Sequence, residues 1–172
     1  MVLVLDGDDR LEAEYIENVS QLLCTDSTMV IASSWMRTFG VLDATVCPGG
    51  GDIVPFLSHN CCPATHILRK EFYEQCKGYD EAMRSGFEDW DFFLSMLEIT
   101  PEAHVGIVEK PLINYRTAPA SANIKSMEKR LELMRYIIEK HKSSYAKHLT
   151  NVLLDMESIS DIRLLKWENE MI

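Results

Sequence analysis

The chain has 172 residues, enough for one domain with a sizeable core, and its apolar fraction of 47% is that of an ordinary globular protein. Its formal net charge is −10, from 17 basic and 27 acidic residues. That balance speaks against nucleic acid and anionic membrane surfaces as partners, since both attract basic patches, and any bound phosphate then needs a metal ion or a local arginine.

No apolar run reaches membrane-spanning length, and no charged-then-apolar signal opens the chain, so no transmembrane segment is expected. The five cysteines, Cys24, Cys47, Cys61, Cys62 and Cys76, are odd in number and two are adjacent. They read as free thiols in a reducing cytoplasm rather than a disulfide framework. A zinc site from Cys47, Cys61, Cys62 and His66 would lack the paired C-x₂-C spacing.

The first ten residues organise the rest. Met1-Val2-Leu3-Val4-Leu5 is an unbroken apolar run, as in a strand buried on both faces of a helix-covered parallel sheet. Asp6-Gly7-Asp8-Asp9-Arg10 follows at once, where open α/β sheets bind ligands. Gly7 would allow a tight turn, and Asp6 and Asp8 can face one hard cation, Mg²⁺ or Mn²⁺, of the kind that also holds substrate phosphates. The plainer reading is that Asp8 or Asp9 caps the next helix. A phosphohydrolase nucleophile is disfavoured because Arg10 stands where Thr or Val is expected. A calcium loop is disfavoured because Leu11 stands where it needs glycine.

Leu11, Tyr15, Val19 and Leu22 recur at helical spacing and predict a helix over 11–24. Residues 29–32 predict a strand. Residues 37–63 read as irregular, and the breaker cluster Cys47-Pro48-Gly49-Gly50-Gly51-Asp52 reads as a mobile surface loop, since the Lys-Ser/Thr of a phosphate-binding P-loop is absent. A short strand at 65–68 and a short helix at 69–76 follow. A strong helix is expected at 87–98, then two short strands, 105–108 and 112–115, around Pro111. Beyond this the tail is all helical. Ile124, Met127, Leu131, Met134 and Ile138 form one expected apolar face, and Leu149, Leu153, Met156 and Ile159 another.

A second acidic cluster is Glu88-Asp89-Trp90-Asp91, in the first turn of the helix at 87–98. Acids there are favoured by the helix dipole, which is a sufficient structural reason for them. A general base pointed at a substrate hydroxyl is the chemical alternative.

The motifs Leu5-Asp6-Gly7-Asp8-Asp9, Arg69-Lys70-Glu71-Phe72, Lys77-Gly78-Tyr79-Asp80-Glu81, Glu88-Asp89-Trp90-Asp91 and Pro111-Leu112-Ile113-Asn114-Tyr115-Arg116 occur in that order. Together they resemble a family 2 glycosyltransferase, an inverting enzyme of the GT-A fold. The resemblance implies an α/β architecture: a truncated GT-A (Rossmann-like) mixed sheet flanked by helices over residues 1–121, with a helical extension over 122–172. It implies that Asp8, with Asp6, holds a divalent cation (Mn²⁺ or Mg²⁺) on the diphosphate of a nucleotide-sugar donor, with Arg116 near the phosphates. It implies that Asp89 is the base that deprotonates a hydroxyl of a saccharide or lipid-linked acceptor, with Glu88 orienting it. Gly78, Tyr79 and Asp80 would lie near the donor sugar and acceptor, and Trp90 would form part of the acceptor platform or pack in the core.

Two departures accompany the resemblance. Ala118 stands where family members often carry a histidine, and the strands that supply the family's nucleotide pocket are not found before Asp6. The expectation is therefore weak or absent turnover by this chain alone, and a homo-oligomer that covers an otherwise open, apolar sheet edge at residues 2–5. A non-catalytic binding or assembly module is the alternative function. The expected location is cytoplasmic, with a peripheral position on the inner face of the membrane as the variant.

Overall fold

The structure, a computed structural model, describes residues 1–118 and 126–170, the last five by backbone alone. It is an α/β fold built on one six-stranded mixed sheet with helices on both faces. In chain order the elements are β1 (Val2–Val4), β2 (Arg10–Leu11), α1 (Tyr15–Thr25), β3 (Met29–Gly40), β4 (Thr45–Val46), α2 (Ile53–Phe56), β5 (His66–Leu68), α3 (Lys70–Cys76), α4 (Glu88–Leu97) and β6 (His104–Thr117). The helices α5 (Arg130–Lys140), α6 (Lys142–Lys147) and α7 (Leu149–Glu170) complete the tail. Among the described residues no helix is long and apolar enough to cross a membrane.

The sheet order is β1-β5-β3-β6-β2, with β4 beside the end of β3. β3 and β6 run parallel, and β5 is antiparallel to both β1 and β3. It follows that β1, β3 and β6 all point the same way, and their C-terminal ends share one end of the sheet. The acidic loop after β1 and the Tyr115-Arg116 pair of β6 sit at that end.

The strand pattern differs from the sequence reading in five places, one of them β4, which pairs with β3 inside the stretch 37–63 read as irregular. β3 is 12 residues long, not four. The polar Ser33 and Ser34 mask its continuation, but both are buried with their hydroxyls satisfied, by Thr65 O at 2.6 Å and Trp35 O at 2.8 Å. β6 is one strand, not two: Ser34 pairs with Val108 and Trp35 with Pro111, so the chain bulges between them. A bulge is where a strand tolerates a residue with no N–H to give. Arg10 and Leu11 form β2 against Asn114 and Ile113 instead of opening the first helix, which starts at Tyr15. Finally, β1 has the open edge expected of it, paired with β5 alone among the described residues, but Val2 is 41% and Leu3 37% exposed. Its apolar run is therefore not buried on both faces.

Two cores flank the sheet. On one face α1 lays Tyr15, Val19 and Leu23 against Ala32, Ile67 and Ile113. On the other, Phe92, Phe93 and Leu94 of α4 meet Val30, Ile31, Leu68 and Phe56. Complete burial of one such side chain is worth about 1.5–3 kcal/mol. The tail shares this second core through Leu133, Met134, Ile137, Tyr145 and Val152. Its buried face is shifted from the expected one: Leu131 is 87% and Leu153 57% exposed, while Leu133 and Val152 are buried. Expected position Ile124 and the 121/122 boundary lie outside the described residues.

The glycine cluster is not a mobile surface loop. Gly50 is buried at φ +61°, its N–H reaches Cys61 O, and Gly51 exchanges backbone hydrogen bonds with Val105 of β6. A side chain at Gly50 would strike Val105 O at 2.5 Å, so glycine is required there by close approach as well as by φ. Gly7, by contrast, has open space around it and no positive φ.

Candidate active site

Asp89 sits in the first turn of α4, directly after two left-handed residues, Gly86 (φ +114°) and Phe87 (φ +64°). A left-handed conformation is uncommon for a bulky residue. Here the Phe87 ring packs on Trp90, and Arg130 of the tail lies over both rings at 5.5 and 5.9 Å. Trp90 is 2% exposed and donates its Nε1–H to Phe56 O at 2.6 Å. Of the two roles the sequence leaves it, packing is the one this burial supports, and its ring anchors α4 rather than offering an acceptor surface.

The Asp89 carboxylate accepts hydrogen bonds from Asn60 Nδ2 at 3.0 Å and from Trp90 N at 2.8 Å. Burial pushes its pKa up to about 6, and the neighbouring charge of Glu88 adds to the rise, while the Trp90 and Asn60 donors oppose it. Glu88 itself is exposed.

The acidic loop is fastened to the end of β6. Asp9 accepts from Arg116 N at 2.8 Å, and the Arg116 guanidinium stands 3.7 Å from Asp8. Asp6 is held above its ordinary pKa by burial and then by the charge of Asp8. Asp9 is raised by burial too, against the pull of the Arg116 N–H. Crowded carboxylates of this kind are relieved by a cation placed among them.

Tyr115 precedes Arg116, whose backbone N–H holds Asp9. The Tyr115 hydroxyl is raised by burial and then by the charges of Asp9, Asp6, Asp8 and Asp89, so all four carboxylates act on one phenol. Tyr79 is raised by burial as well, with Asp89 and Asp6 both contributing. Its ring stacks on Phe92 of α4 with centroids 4.2 Å apart. Clusters remote in sequence, at 6–9 and at 89, thus share the neighbourhood of two tyrosines.

Of the other expected residues of the acceptor loop, Gly78 faces α3 and Asp80 faces the tail. Gly78, at φ +76°, is packed against the Tyr73 hydroxyl. Asp80 accepts from Lys140 Nζ at 2.7 Å, Tyr136 OH at 2.9 Å and Ala82 N, and Lys140 above all holds its pKa down at about 2. Two cavities, of about 420 and 290 Å³, lie along the tail, and neither is lined by Asp6, Asp8 or Asp89.

Among the described residues no three His, Cys, Asp or Glu side chains form a group able to hold a metal ion by themselves. Mg²⁺ asks less of the protein: one or two carboxylates, completed by substrate phosphates and water. Asp6, raised by burial and then by the charge of Asp8, and Asp8 two residues on fit that donor set. All five cysteines are free thiols, and burial pushes Cys61 up to about 12 and Cys62 well above the ordinary thiol value. Neither is poised as a nucleophile.

Sequence reasoning missed Asn60, which lies in a stretch with no periodicity. It gave Asp91 no role of its own, and it missed Glu98, Lys140 and His141. For the last a signal was present: Ile137, His141 and Tyr145 recur every fourth residue, so His141 lies on an apolar helical face. Models of known protein families and curated protein sequences give no match to this chain.

Proposed function

We propose that the chain is a family 2-like glycosyltransferase of GT-A type, transferring a sugar from a nucleoside-diphosphate donor to a hydroxyl acceptor in polysaccharide or glycolipid synthesis. The observation that carries this reading is the acidic loop at 6–9, fastened through Asp9 to Arg116 at the C-terminal ends of β1 and β6, with the Asn60-bonded carboxylate of Asp89 as the candidate base. Open α/β sheets bind ligands at that end of their strands.

In this reading Asp8, with Asp6, holds Mg²⁺ or Mn²⁺, and Arg116 lies beside them to meet the diphosphate. The cation, when bound, neutralises charge on the departing nucleoside diphosphate. Asp89 accepts the proton of the acceptor hydroxyl as that oxygen attacks the anomeric carbon from the face opposite the leaving group, which inverts configuration. A carboxyl titrating near 6 is ionised at neutral pH yet basic enough to take a proton in flight. Asn60 orients it, and Glu88, exposed beside it, faces the acceptor. No covalent intermediate is required.

The open edge of β1 favours a second reading, a binding or assembly module whose sheet is completed by another chain. Calorimetry with nucleoside diphosphates in the presence of Mn²⁺ separates the two. The transferase reading expects metal-dependent binding that Asp8→Ala abolishes and Asp89→Ala preserves. Binding equal in wild type and Asp8→Ala, or none without loss of fold, sends the function to the second reading.

A further inference from the structure

We propose that Lys140 and His141 are positioning residues, tying α4 and the loop at 78–80 to the tail so that Asp89 faces the acidic loop. This rests on the reading of Asp89 as the base. Lys140 Nζ lies 2.7 Å from both Asp80 and Asp91, and so bridges the loop to the helix. His141 sits between Asp91, at 3.1 Å from Nε2, and Glu98, at 2.9 Å from Nδ1. Ser144 Oγ donates to the other oxygen of Glu98, and Tyr136 OH donates to Asp80. Asp91 and His141 are 1% and 2% exposed.

Helical geometry shows what this network fixes. Asp91 follows Asp89 by two residues, about 200° around the axis. A grip on Asp91 therefore sets the rotation of the helix from behind, and Asp89 points forward by default. Fixation is needed because α4 begins on a left-handed aromatic residue with no side-chain cap. Buried ion networks of this kind add little stability over apolar packing, and their best-attested use is to specify one arrangement. Burial opposes the charge of the His141 imidazole, but its bonds to Asp91 and Glu98 push it up to about 9, and it is cationic at neutral pH.

The test compares wild type with Lys140→Met, the conservative Lys140→Arg and, as a control, Arg37→Met, which opens an exposed ion pair to Asp43. The carboxyl of Asp89 is titrated by carbon NMR, and kcat and KM for sugar transfer are measured. The expected result is an Asp89 midpoint lowered by roughly one pH unit in Lys140→Met as its surroundings open to water. With it kcat should fall about tenfold while KM for the donor holds. Lys140→Arg should restore both, and Arg37→Met should change neither. An unchanged midpoint in folded Lys140→Met overturns the proposal, as does a shift of equal size in the control. If Lys140→Met does not fold, Tyr136→Phe, which removes only the hydroxyl bond to Asp80, is judged by the same midpoint. Absence of transfer by wild type defeats the functional reading alone, because the titration still decides the clamp.

Discussion

A carboxylate that takes a proton from a sugar hydroxyl works best with a pKa close to the working pH. Burial brings Asp89 to about 6, whereas Asp80, held by Lys140, stays near 2 and would be a poor base. The rate of transfer should therefore rise with pH through about 6, as Asp89 loses its proton, and then level off. Asp89→Asn should remove that step and cost about 10²–10⁴-fold in kcat while leaving donor binding in place. A pH–rate profile of both proteins checks this; an undiminished rate in the variant would assign the proton to another group. Asp6, Asp8 and Asp89 were singled out in the sequence by the spacing and order of motifs. Asn60 was not, since a hydrogen-bond donor supplied from an irregular loop leaves no periodic trace.

At the scale of elements, the sheet stands where apolar patterning placed it, but its strands run further. Ser33 and Ser34 read as the end of a strand because a buried hydroxyl is costly unless bonded, and only the folded chain supplies Thr65 O and Trp35 O. Pro111 read as a break, although a bulge accommodates it within β6. The glycine cluster read as solvent-exposed loop because glycine marks both loose turns and close backbone contact, and here it is the second. Gly50→Ala should consequently destabilise the fold by about 1–3 kcal/mol, through collision with Val105 O and Ile107. Gly7→Ala, in open space, should fall within about 0.5 kcal/mol of wild type. Urea unfolding of the two variants measures the difference; equal losses would contradict the close approach of Gly50 to β6. In the tail the helices were legible, but their phase was not. The stripe Leu133, Met134 and Ile137 is buried in the core it shares with α4, whose position the local pattern does not contain.

For the molecule as a whole, the α/β class follows from alternating apolar segments of strand and helix length. The sheet order does not, because it depends on pairings such as that of β3 with β6, distant in sequence. The order leaves β1 at one end with Val2, Leu3 and Leu5 exposed and, among the described residues, no strand on its outer side. Such an edge invites strand addition. Multi-angle light scattering at micromolar concentration should find a homo-oligomer, and Leu3→Lys should shift it toward monomer. A wild-type monomer under those conditions would leave the edge without the proposed partner.

The central claim is that two acidic clusters, far apart along the chain, serve one site. Titration of Mn²⁺ in the presence of a nucleoside diphosphate, followed by the carboxyl carbon signals of the aspartates, tests it most directly. The account predicts that Mn²⁺ held by Asp6 and Asp8 broadens the signal of Asp89 along with theirs, and that Asp8→Ala removes the effect. An Asp89 signal that stays sharp while those of Asp6 and Asp8 vanish would contradict it.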